Sequence, residues 1–284
     1  MKYAMAILVT SLSMSIFAQT APLLAPAPRH ITMREGFYTG YFMQPQWKEG
    51  ERDDFVILDL EKALWNVSGP DSNRNHQIPV ILAVRPEEME HPQGYILDIT
   101  KEIVHITGHD TAGVRYGAAT LKQIVASGLV PCLRIEDWPD FPNRGIMLDV
   151  ARCKVPEMDT LRRLVDTFAE WKINQLQMYT EHTFAYRNHD EVWMDASPMT
   201  AAQIRELDAY CAERGIELVP NQNSFGHMGR WLMHPNYAPL AETTDGSELC
   251  PIDPGSIALI EDMYADMLPN FSSKQVNVGC DETW

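Results

Sequence analysis

Residues 143–182 read NRGIMLDVARCKVPEMDTLRRLVDTFAEWKINQLQMYTEH, and their hydrophobic pattern changes twice. The run Gly145–Val150 has the length and apolar content of a buried strand. Pro156–Trp171 then repeats apolar residues every three or four positions, with a proline and acidic residues in its first turn, which predicts a helix. Gln175–Tyr179 is a second short strand. A strand, a helix and a strand in succession predict two parallel strands joined by a helical crossover.

The same alternation continues toward the C-terminus. A helix is predicted over Thr200–Arg214, with its first residue as the N-cap and a glycine just past its end. Further elements are predicted at Glu217–Pro220 (strand), Ser256–Met267 (helix) and Gln275–Gly279 (strand). Four successive βα units indicate an α/β fold of the TIM-barrel type, of which residues 143–284 supply about the first half. In such a barrel the active site lies at the C-terminal ends of the strands.

Residues 22–130 show a different pattern, with short β-branched runs and one amphipathic stretch. The stretch Ala112–Ser127 has apolar spacings of three and four and is predicted to be a helix. Four runs bounded by turn-forming residues are predicted to be strands: Phe55–Leu60, Pro79–Val84, Tyr95–Thr100 and Ile103–Thr107. The pattern predicts a small α+β domain. The segment 131–142 is rich in proline and acidic residues and is predicted to be the linker to the barrel.

The chain is acidic, with a formal net charge of −16 from 39 acidic and 23 basic residues. Such a charge repels a phosphate backbone, which argues against nucleic acid as a partner. Neutral, hydroxyl-rich ligands are compatible with it. Five cysteines are scattered without a CxxC pair, so neither a zinc site nor a disulfide framework is predicted.

The first residues, MKYAMAILVTSLSMSIFAQTAP, place a lysine before an apolar run and end in small residues. This order is typical of a secretory signal peptide, and we expect cleavage after Ala18. The run is short and interrupted by Thr and Ser, so no membrane span is expected once residues 1–18 are removed. The sequence therefore predicts a secreted or periplasmic protein.

Polar residues follow each of the four predicted barrel strands. They are Asp149 and Arg152, Glu181 and His182, Asn221 and His227, and Asp281 and Glu282. Since the C-terminal ends of parallel strands meet at one face of a barrel, we expect these side chains to lie close together. An Asp–Glu or Arg–Asp pair is by itself an ordinary surface feature, and only the shared position after successive strands indicates a site.

Four ordered segments resemble glycoside hydrolase family 20: RGIMLDVARCKVP, KINQLQMYTEHTFAY, GIELVPNQNSFGH and VNVGCDETW. The segment ITKEIVHITGHDTAGVRYGAATLKQIV is similar to the end of that family's N-terminal domain, which is called zincin-like. The resemblance covers about residues 22–284. It implies a retaining exo-β-N-acetylhexosaminidase that removes terminal β-linked N-acetylglucosamine or N-acetylgalactosamine from glycans and glycoconjugates. It implies no cofactor, and since no HExxH motif is present we expect no metal.

The resemblance implies that Asp281 and Glu282 are the catalytic pair. Glu282 would protonate the glycosidic oxygen and later activate water. Asp281 would hold the acetamido group of the substrate, whose own oxygen attacks the anomeric carbon. Alternation along a strand would send the two side chains to opposite sides, one to the leaving oxygen and the other to the acetamido group.

Supporting roles are implied for five further residues. Arg144 would bind sugar hydroxyls with its rigid fork of donors, the alternative being a salt bridge at the domain boundary. Asp149 and Arg152 would form a structural pair beneath the sugar. His227 would orient or tune the general acid, and Glu181 would steady that histidine.

The sequence departs from better-known members of the family in two motifs. TEH, with Glu181 and His182, stands in place of a pair of aspartates, and PNQNSFGH, with Asn221 and Asn223, replaces an acidic version. Two other functions fit the same residues. One is a barrel glycosidase with a protein carboxylate such as Glu181 as nucleophile, and the other is a non-catalytic glycan-binding protein. With four of eight βα units, the chain as printed is expected to be incomplete and inactive by itself.

Overall fold

A computed structural model of the chain describes residues 21–38, 41–67, 77–152, 154–244 and 246–283. The predicted signal peptide, residues 1–18, lies outside the described residues. Within the described part of the chain, no helix is long and apolar enough to cross a bilayer. Two hydrophobic cores organise the described residues, one formed between residues 24 and 135 and the other between residues 146 and 271.

The first core lies between a mixed sheet and two helices. Its elements in chain order are β1 (His30–Phe37), β2 (Tyr41–Phe42), β3 (Gln46–Glu49), α1 (Asp54–Val67), β4 (Gln77–Ile78), β5 (Val80–Val84), β6 (Tyr95–Ile99), β7 (Val104–Gly108), α2 (Thr111–Ala126) and β8 (Pro131–Asp137). Six strands form one sheet in the order β1-β8-β6-β7-β5-β3, while β2 and β4 pair with each other.

Helix α2 confirms the amphipathic stretch predicted over Ala112–Ser127. A side-chain oxygen of Asp110 accepts a hydrogen bond of 2.8 Å from the backbone N–H of Gly113, which caps the first turn. Gly117 lets the helix approach the sheet, because a Cβ atom there would overlap the side chain of Ile106. The predicted strands at residues 79–84, 95–100 and 103–107 are also confirmed, as β5, β6 and β7.

Two predictions for the first domain are wrong. Residues 55–60, predicted to be a strand, lie in α1, where Val56, Leu60 and Leu64 bury one face at a spacing of four residues. Asp53 accepts a hydrogen bond from the backbone N–H of Val56 and starts this helix. The predicted linker 131–142 begins with β8, which pairs with both β1 and β6, so the connection between the domains is confined to residues 138–144.

The second core packs three parallel strands against helices. Its elements are β9 (Gly145–Asp149), α3 (Met158–Glu170), β10 (Gln175–Thr180), α4 (Asp190–Trp193), α5 (Ala201–Glu213), β11 (Glu217–Gln222), α6 (Gly229–Leu232) and α7 (Pro254–Met267). Strands β9, β10 and β11 are neighbours in that order and all pair in parallel, which confirms the first three predicted βα units. Thr200 caps α5 through a capping box with Gln203, as the sequence indicates.

The predicted fourth strand, Gln275–Gly279, is wrong as an extended strand. Only Asn277 forms a β-bridge, with Asn221 in β11. The side-chain oxygen of Asn277 accepts a hydrogen bond from the backbone N–H of Gly279, which adopts a left-handed φ of +52°. This local turn interrupts the ladder after a single bridge, although the segment stays beside the loop after β11, where the hydroxyl of Ser224 donates to the carbonyl oxygen of Val278.

A buried ion pair joins the two cores. Nζ of Lys172, just after α3, lies 2.8 Å from a carboxylate oxygen of Asp137 in β8 and donates a hydrogen bond to the hydroxyl of Tyr95. The two charged side chains are only 7% and 12% exposed. Burial lowers the pKa of Lys172, although the charge of Asp137 acts in the opposite direction.

Candidate active site

The predicted site residues His227, Glu181, Asp281 and Glu282 meet at the C-terminal ends of the parallel strands. Nε2 of His227 lies 3.2 Å from a carboxylate oxygen of Glu282 and 3.5 Å from one of Asp281. Its Nδ1 lies 3.9 Å from Oε1 of Glu181. The structure therefore places one imidazole between three carboxylates that are contributed by segments far apart in the sequence.

Asp281 and Glu282 are positioned by a close approach of two loops. A Cβ atom on Gly226 would overlap the carbonyl oxygen of Asp281, so the loop after β11 packs directly on residues 281–282. His227 and Glu282 both have left-handed φ values, +59° and +54°, a conformation that costs a non-glycine residue about 1–3 kcal/mol. The prediction that the Asp281 and Glu282 side chains point to opposite sides is wrong, because the pair lies in this turn and both carboxylates approach His227.

Asn223 holds Asp281 from below. Its side chain is fully buried, and its amide is oriented by the neighbours, since an oxygen placed toward Asp281 would face only acceptors. In the satisfied orientation Nδ2 donates to Oδ1 of Asp281 at 3.0 Å and to the carbonyl oxygen of Gly279. The sequence marks Asn223 only as a departure from the acidic motif, and its contact with Asp281 requires the three-dimensional fold.

Tyr179 and Arg152 connect Glu181 to the first strand. The hydroxyl of Tyr179, at the end of β10, donates a hydrogen bond of 2.9 Å to Glu181. Burial, reinforced by that carboxylate, raises the pKa of Tyr179 to about 12. The guanidinium of Arg152 lies 4.8 Å from the centre of the Tyr179 ring, 3.5 Å from Glu181 and 2.5 Å from Asp149. Its hydrogen bond to Asp149 raises the pKa of Arg152.

The site is buried at its base and open at its top. Glu181 and His227 side chains are 11% and 21% exposed, whereas those of Asp281 and Glu282 are 55% and 71% exposed. Within the described ranges, no group of three or more His, Cys, Asp or Glu residues is arranged to hold a metal ion. The arrangement suits proton transfer at an exposed carboxyl that is steadied from a buried side.

Arg144 precedes β9, and its side chain contacts groups of the protein, so its binding of sugar hydroxyls stays a prediction. Its guanidinium donates to the side chains of Gln93 at 2.9 Å and Tyr116 at 2.8 Å, and to the backbone oxygen of Lys172 at 2.9 Å. Because Arg144 precedes β9, it extends from the N-terminal end of the strand, away from Asp281. It connects the two cores, which matches the boundary role considered as the alternative, although its partners are uncharged.

Asn221 and His182 do not join the cluster around His227. Asn221 donates a hydrogen bond of 3.0 Å to Oε1 of Gln177 in β10, and Asn277 donates to the same oxygen at 3.1 Å. These three amides form a polar layer inside the sheet, below the strand ends. His182 is buried beside the cluster and lines a cleft that Arg152 and Glu181 also line.

Comparison with known protein families assigns both parts of the chain. The model for glycosyl hydrolase family 20, domain 2 matches residues 21–138, and the model for the catalytic domain of the same family matches residues 141–284. The chain belongs to glycoside hydrolase family 20. Its second domain is accordingly a TIM-barrel-type fold, of which β9, β10 and β11 are the first strands.

Relatives in this family are hexosaminidases. The chain is 29% identical over 223 residues to a β-hexosaminidase of Akkermansia muciniphila, covering 66% of this chain and 45% of that protein. It is 26% identical over 218 residues to a β-N-acetylhexosaminidase of Cellulomonas fimi, covering 67% of this chain and 44% of that protein. The chain thus spans about half the length of the curated family members it matches.

Solved structures of the family share the fold. A crystal structure of a family 20 exo-β-N-acetylglucosaminidase from Vibrio harveyi, in complex with N-acetylglucosamine, has a TM-score of 0.74 and 20% identity and covers 92% of this chain and 47% of that one. The β-N-acetylhexosaminidase of Streptomyces coelicolor A3(2) has the same TM-score and 22% identity and covers 92% and 60%. The similarity extends across both domains of the chain.

Proposed function

We propose that this family 20 chain carries the general acid and the acetamido-orienting residue of a retaining exo-β-N-acetylhexosaminidase. The substrate is a glycan or glycoconjugate with a terminal β-linked N-acetylglucosamine or N-acetylgalactosamine. The observation that carries the proposal is the convergence of Asp281 and Glu282 on His227, with Asn223 holding the first of the two carboxylates. The hexosaminidase names of the relatives support it.

Glu282 is the proposed general acid and, in the second step, the general base. Its side chain is the most exposed of the cluster, 71%, so it can reach a glycosidic oxygen at the mouth of the site. His227 lies 3.2 Å from it and is itself close to Glu181. A carboxyl in this position can donate its proton to the leaving group and later accept one from water.

Asp281 is proposed to orient the acetamido group. One of its oxygens accepts a hydrogen bond from Asn223, so the carboxylate is fixed on its buried side while the other oxygen faces the cluster. A carboxylate held in this way can accept the acetamido N–H and offset the positive charge that develops as the acetamido oxygen attacks the anomeric carbon. The nucleophile is then part of the substrate.

A protein nucleophile is the second candidate, and the surroundings of Glu181 weigh against it. Its side chain is 11% exposed, accepts a hydrogen bond from Tyr179 and lies 3.5 Å from Arg152. A nucleophilic carboxylate must reach the anomeric carbon, which these contacts oppose. A thiazoline analogue of the cyclised acetamido group should therefore inhibit the protein tightly, and weak inhibition would favour the second candidate.

Arg152 is proposed to take the hydroxyl-binding role that the sequence gives to Arg144. Its side chain is 51% exposed at the strand ends, beside Glu181 and above Asp149. The bond to Asp149 fixes the guanidinium while leaving other N–H groups for a ligand. Such a fork of donors suits a pair of neighbouring sugar hydroxyls.

The separate roles proposed for Glu282 and Asp281 are tested with a series of aryl N-acetylglucosaminides whose leaving groups have increasing pKa values. Glu282→Gln should lower kcat/KM by about 10² to 10⁴ on poor leaving groups and far less on good ones, because only the former need a proton in the first step. Asp281→Asn should slow attack on every member of the series. Equal losses for both variants across the series would contradict the assignment.

One further expectation concerns the N-terminal residues. We propose that residues 1–18 direct export, because they combine a lysine, an apolar run and small residues in that order. N-terminal sequencing of the secreted protein should begin at Gln19.

A further inference from the structure

A buried amide lies at the end of β11, next to the candidate active site. Gln222 is the last residue of this strand, and its side chain is fully buried. It lies against Tyr186, which is equally buried within the second core. Burial of an amide among aromatic and apolar side chains is unfavourable unless its polar atoms find partners. The partners of Gln222 are therefore informative about its role.

The oxygen and the nitrogen of the Gln222 side chain are both engaged. Oε1 accepts a hydrogen bond from the hydroxyl of Tyr186, and Nε2 donates to the backbone oxygens of Glu181 at 3.0 Å and of Asn223 at 2.8 Å. Burial raises the pKa of Tyr186 well above its usual value, so its hydroxyl keeps the proton that it donates. The reverse orientation of the amide would point its oxygen at two carbonyl oxygens, so one orientation is strongly favoured.

The two backbone oxygens belong to residues that contact the groups of the candidate site. The side chain of Glu181 lies 3.9 Å from Nδ1 of His227, and the side chain of Asn223 donates to Asp281 at 3.0 Å. Gln222 thus bonds both to the residue behind the histidine and to the residue behind the acetamido-orienting carboxylate.

This connection lies where the backbone ladder between β10 and β11 stops. The last pair of the ladder is Thr180 with Gln222, and the backbone N–H of Asn223 adds one bond to the oxygen of Thr180. Glu181 lies one residue beyond that pair. Its backbone oxygen instead accepts bonds from two side chains, those of Gln222 and, at 2.8 Å, Trp231. Side-chain bonds therefore replace the ladder in holding the backbone of Glu181.

The position of Glu181 matters because its contact with His227 is electrostatic. The interaction between two such groups weakens as their separation grows, and a displacement of about 1 Å in a supporting group can lower a rate by about 10². Stability of the core alone would be served by any pair of acceptors. The two acceptors that Gln222 uses both carry side chains of the site.

We propose that Gln222 is a positioning residue for the hydrolysis proposed for this site. It fixes the backbone of Glu181 and of Asn223, whose side chains contact the catalytic groups, and it does not touch the substrate. Tyr186 fixes the orientation of the amide. The proposal rests on the proposed function, in which Glu282 is the general acid.

The test measures the pH profile of kcat/KM of the full-length protein on a chromogenic N-acetylglucosaminide. Gln222→Met removes the amide and keeps an unbranched side chain of similar length. We expect it to lower the maximum by about fivefold or more and to move the basic limb, which reports the general acid, by about half a pH unit or more. The shift should have the same direction as in Glu181→Gln. The double variant should show no larger shift than Glu181→Gln alone, because Gln222 acts on this limb through Glu181.

A second variant and a matched control separate positioning from stability. Tyr186→Phe removes only the hydroxyl bonded to Gln222, so it should move the basic limb in the same direction by a smaller amount. Asn270, just after α7, is a buried amide with the same bonding pattern: Nδ2 donates to two backbone oxygens at 2.8 and 2.9 Å, and Oδ1 accepts from Arg205. Asn270→Leu should lower the melting temperature and leave the pH profile unchanged.

A lower melting temperature with an unmoved basic limb in both Gln222→Met and Tyr186→Phe would show that Gln222 serves only the core. A shift in the double variant equal to the sum of the single shifts would also overturn the positioning role, because Gln222 would then act apart from Glu181. If Gln222→Met does not fold, the basic limb of Tyr186→Phe decides. These results would leave the proposed function standing. A rate that Glu282→Gln does not change on any substrate would overturn the proposed function together with this inference.

Discussion

His227 is the residue on which the candidate site depends most. Its ring contacts Glu282 and Asp281 on one side at 3.2 and 3.5 Å, approaches Glu181 on the other at 3.9 Å, and meets the edge of Tyr179. An imidazole in this position transmits the charge and orientation of a buried carboxylate to an exposed one. The left-handed backbone of His227 is the conformational cost of this placement.

If His227 tunes Glu282, then His227→Ala should shift the pH profile of kcat/KM as well as lower its maximum. The measurement is kcat/KM for an N-acetylglucosaminide across the pH range in which the protein stays folded. His189→Ala is the control. Like His227, His189 packs against an aromatic ring, but its two ring nitrogens form hydrogen bonds with Tyr237 and Asp262 and not with Asp281 or Glu282. A lower rate with an unmoved profile would reduce His227 to a packing residue.

A separate prediction concerns Asn223, whose side-chain amide donates a hydrogen bond of 3.0 Å to Asp281. Asn223→Ala should lower kcat by about tenfold or more, because Asp281 loses its positioning hydrogen bond. Asn223→Asp keeps the shape but places two carboxylates side by side, which raises the pKa of one of them. The acid limb of the kcat profile should then move to higher pH. An unchanged acid limb with full activity would show that Asn223 does not position Asp281.

The loop after β11 packs closely on Asp281 and Glu282, and the absence of a side chain at Gly226 makes this possible. Gly226→Ala would force the carbonyl of Asp281 away, because the added methyl group overlaps it. We expect kcat to fall by about tenfold or more, because the displaced carbonyl of Asp281 carries the neighbouring carboxylates out of position. Gly229→Ala is the matched control, because its nearest described neighbour is 3.8 Å from the added methyl group. Equal activity in the two variants would contradict this reading of the loop.

Elements with long periodic patterns were predictable from the sequence, whereas short apolar runs were not. Helices α2, α3 and α5 carry repeated spacings together with caps such as Thr200, and their existence and approximate ends follow from these signals. The six residues 55–60 fit a strand or a helix equally well until Leu64 is seen to continue the helical face. Strand β8 forms because residues 131–137 pair with β1 and β6, which are distant in the sequence. The local sequence of residues 131–137 does not show these partners.

The residues of the candidate site that lie at motif positions could be predicted from the sequence. The end of the strand at which a side chain lies could not. Asp281, Glu282, Glu181 and His227 meet as their motif positions indicate. The motif contains an arginine before the strand, Arg144, and another after it, Arg152, and only the strand direction distinguishes the two ends. The role of Asn223 arises from its contact with Asp281, in a distant segment of the chain, for which the sequence carries no signal. Tyr179 bonds to Glu181 two residues away, but its packing against Arg152 also depends on the fold.

The two domains are held as one molecule by polar contacts around the start of β9. Lys172 and Asp137 are paired in a buried setting, and Arg144 donates to Gln93 and Tyr116 across the same boundary. Removing one partner of a buried ion pair leaves the other charge uncompensated, which commonly costs about 3–5 kcal/mol. The first domain thus braces the N-terminal ends of the strands, while the opposite ends stay available for a ligand.

This division between a structural and a functional end predicts different outcomes for two arginines in one motif. Arg144→Ala should lower the free energy of unfolding by about 1–3 kcal/mol, because it leaves several hydrogen-bonding groups at the boundary without a partner, and KM should not change. Arg152→Ala should cost less than about 1 kcal/mol, since its ion pair with Asp149 is half exposed, but should raise KM at least about tenfold. Urea unfolding and steady-state kinetics on both variants measure the two quantities. A raised KM in Arg144→Ala with unchanged stability would restore the sugar-binding role to the arginine before the strand and contradict the placement of the site at the opposite end.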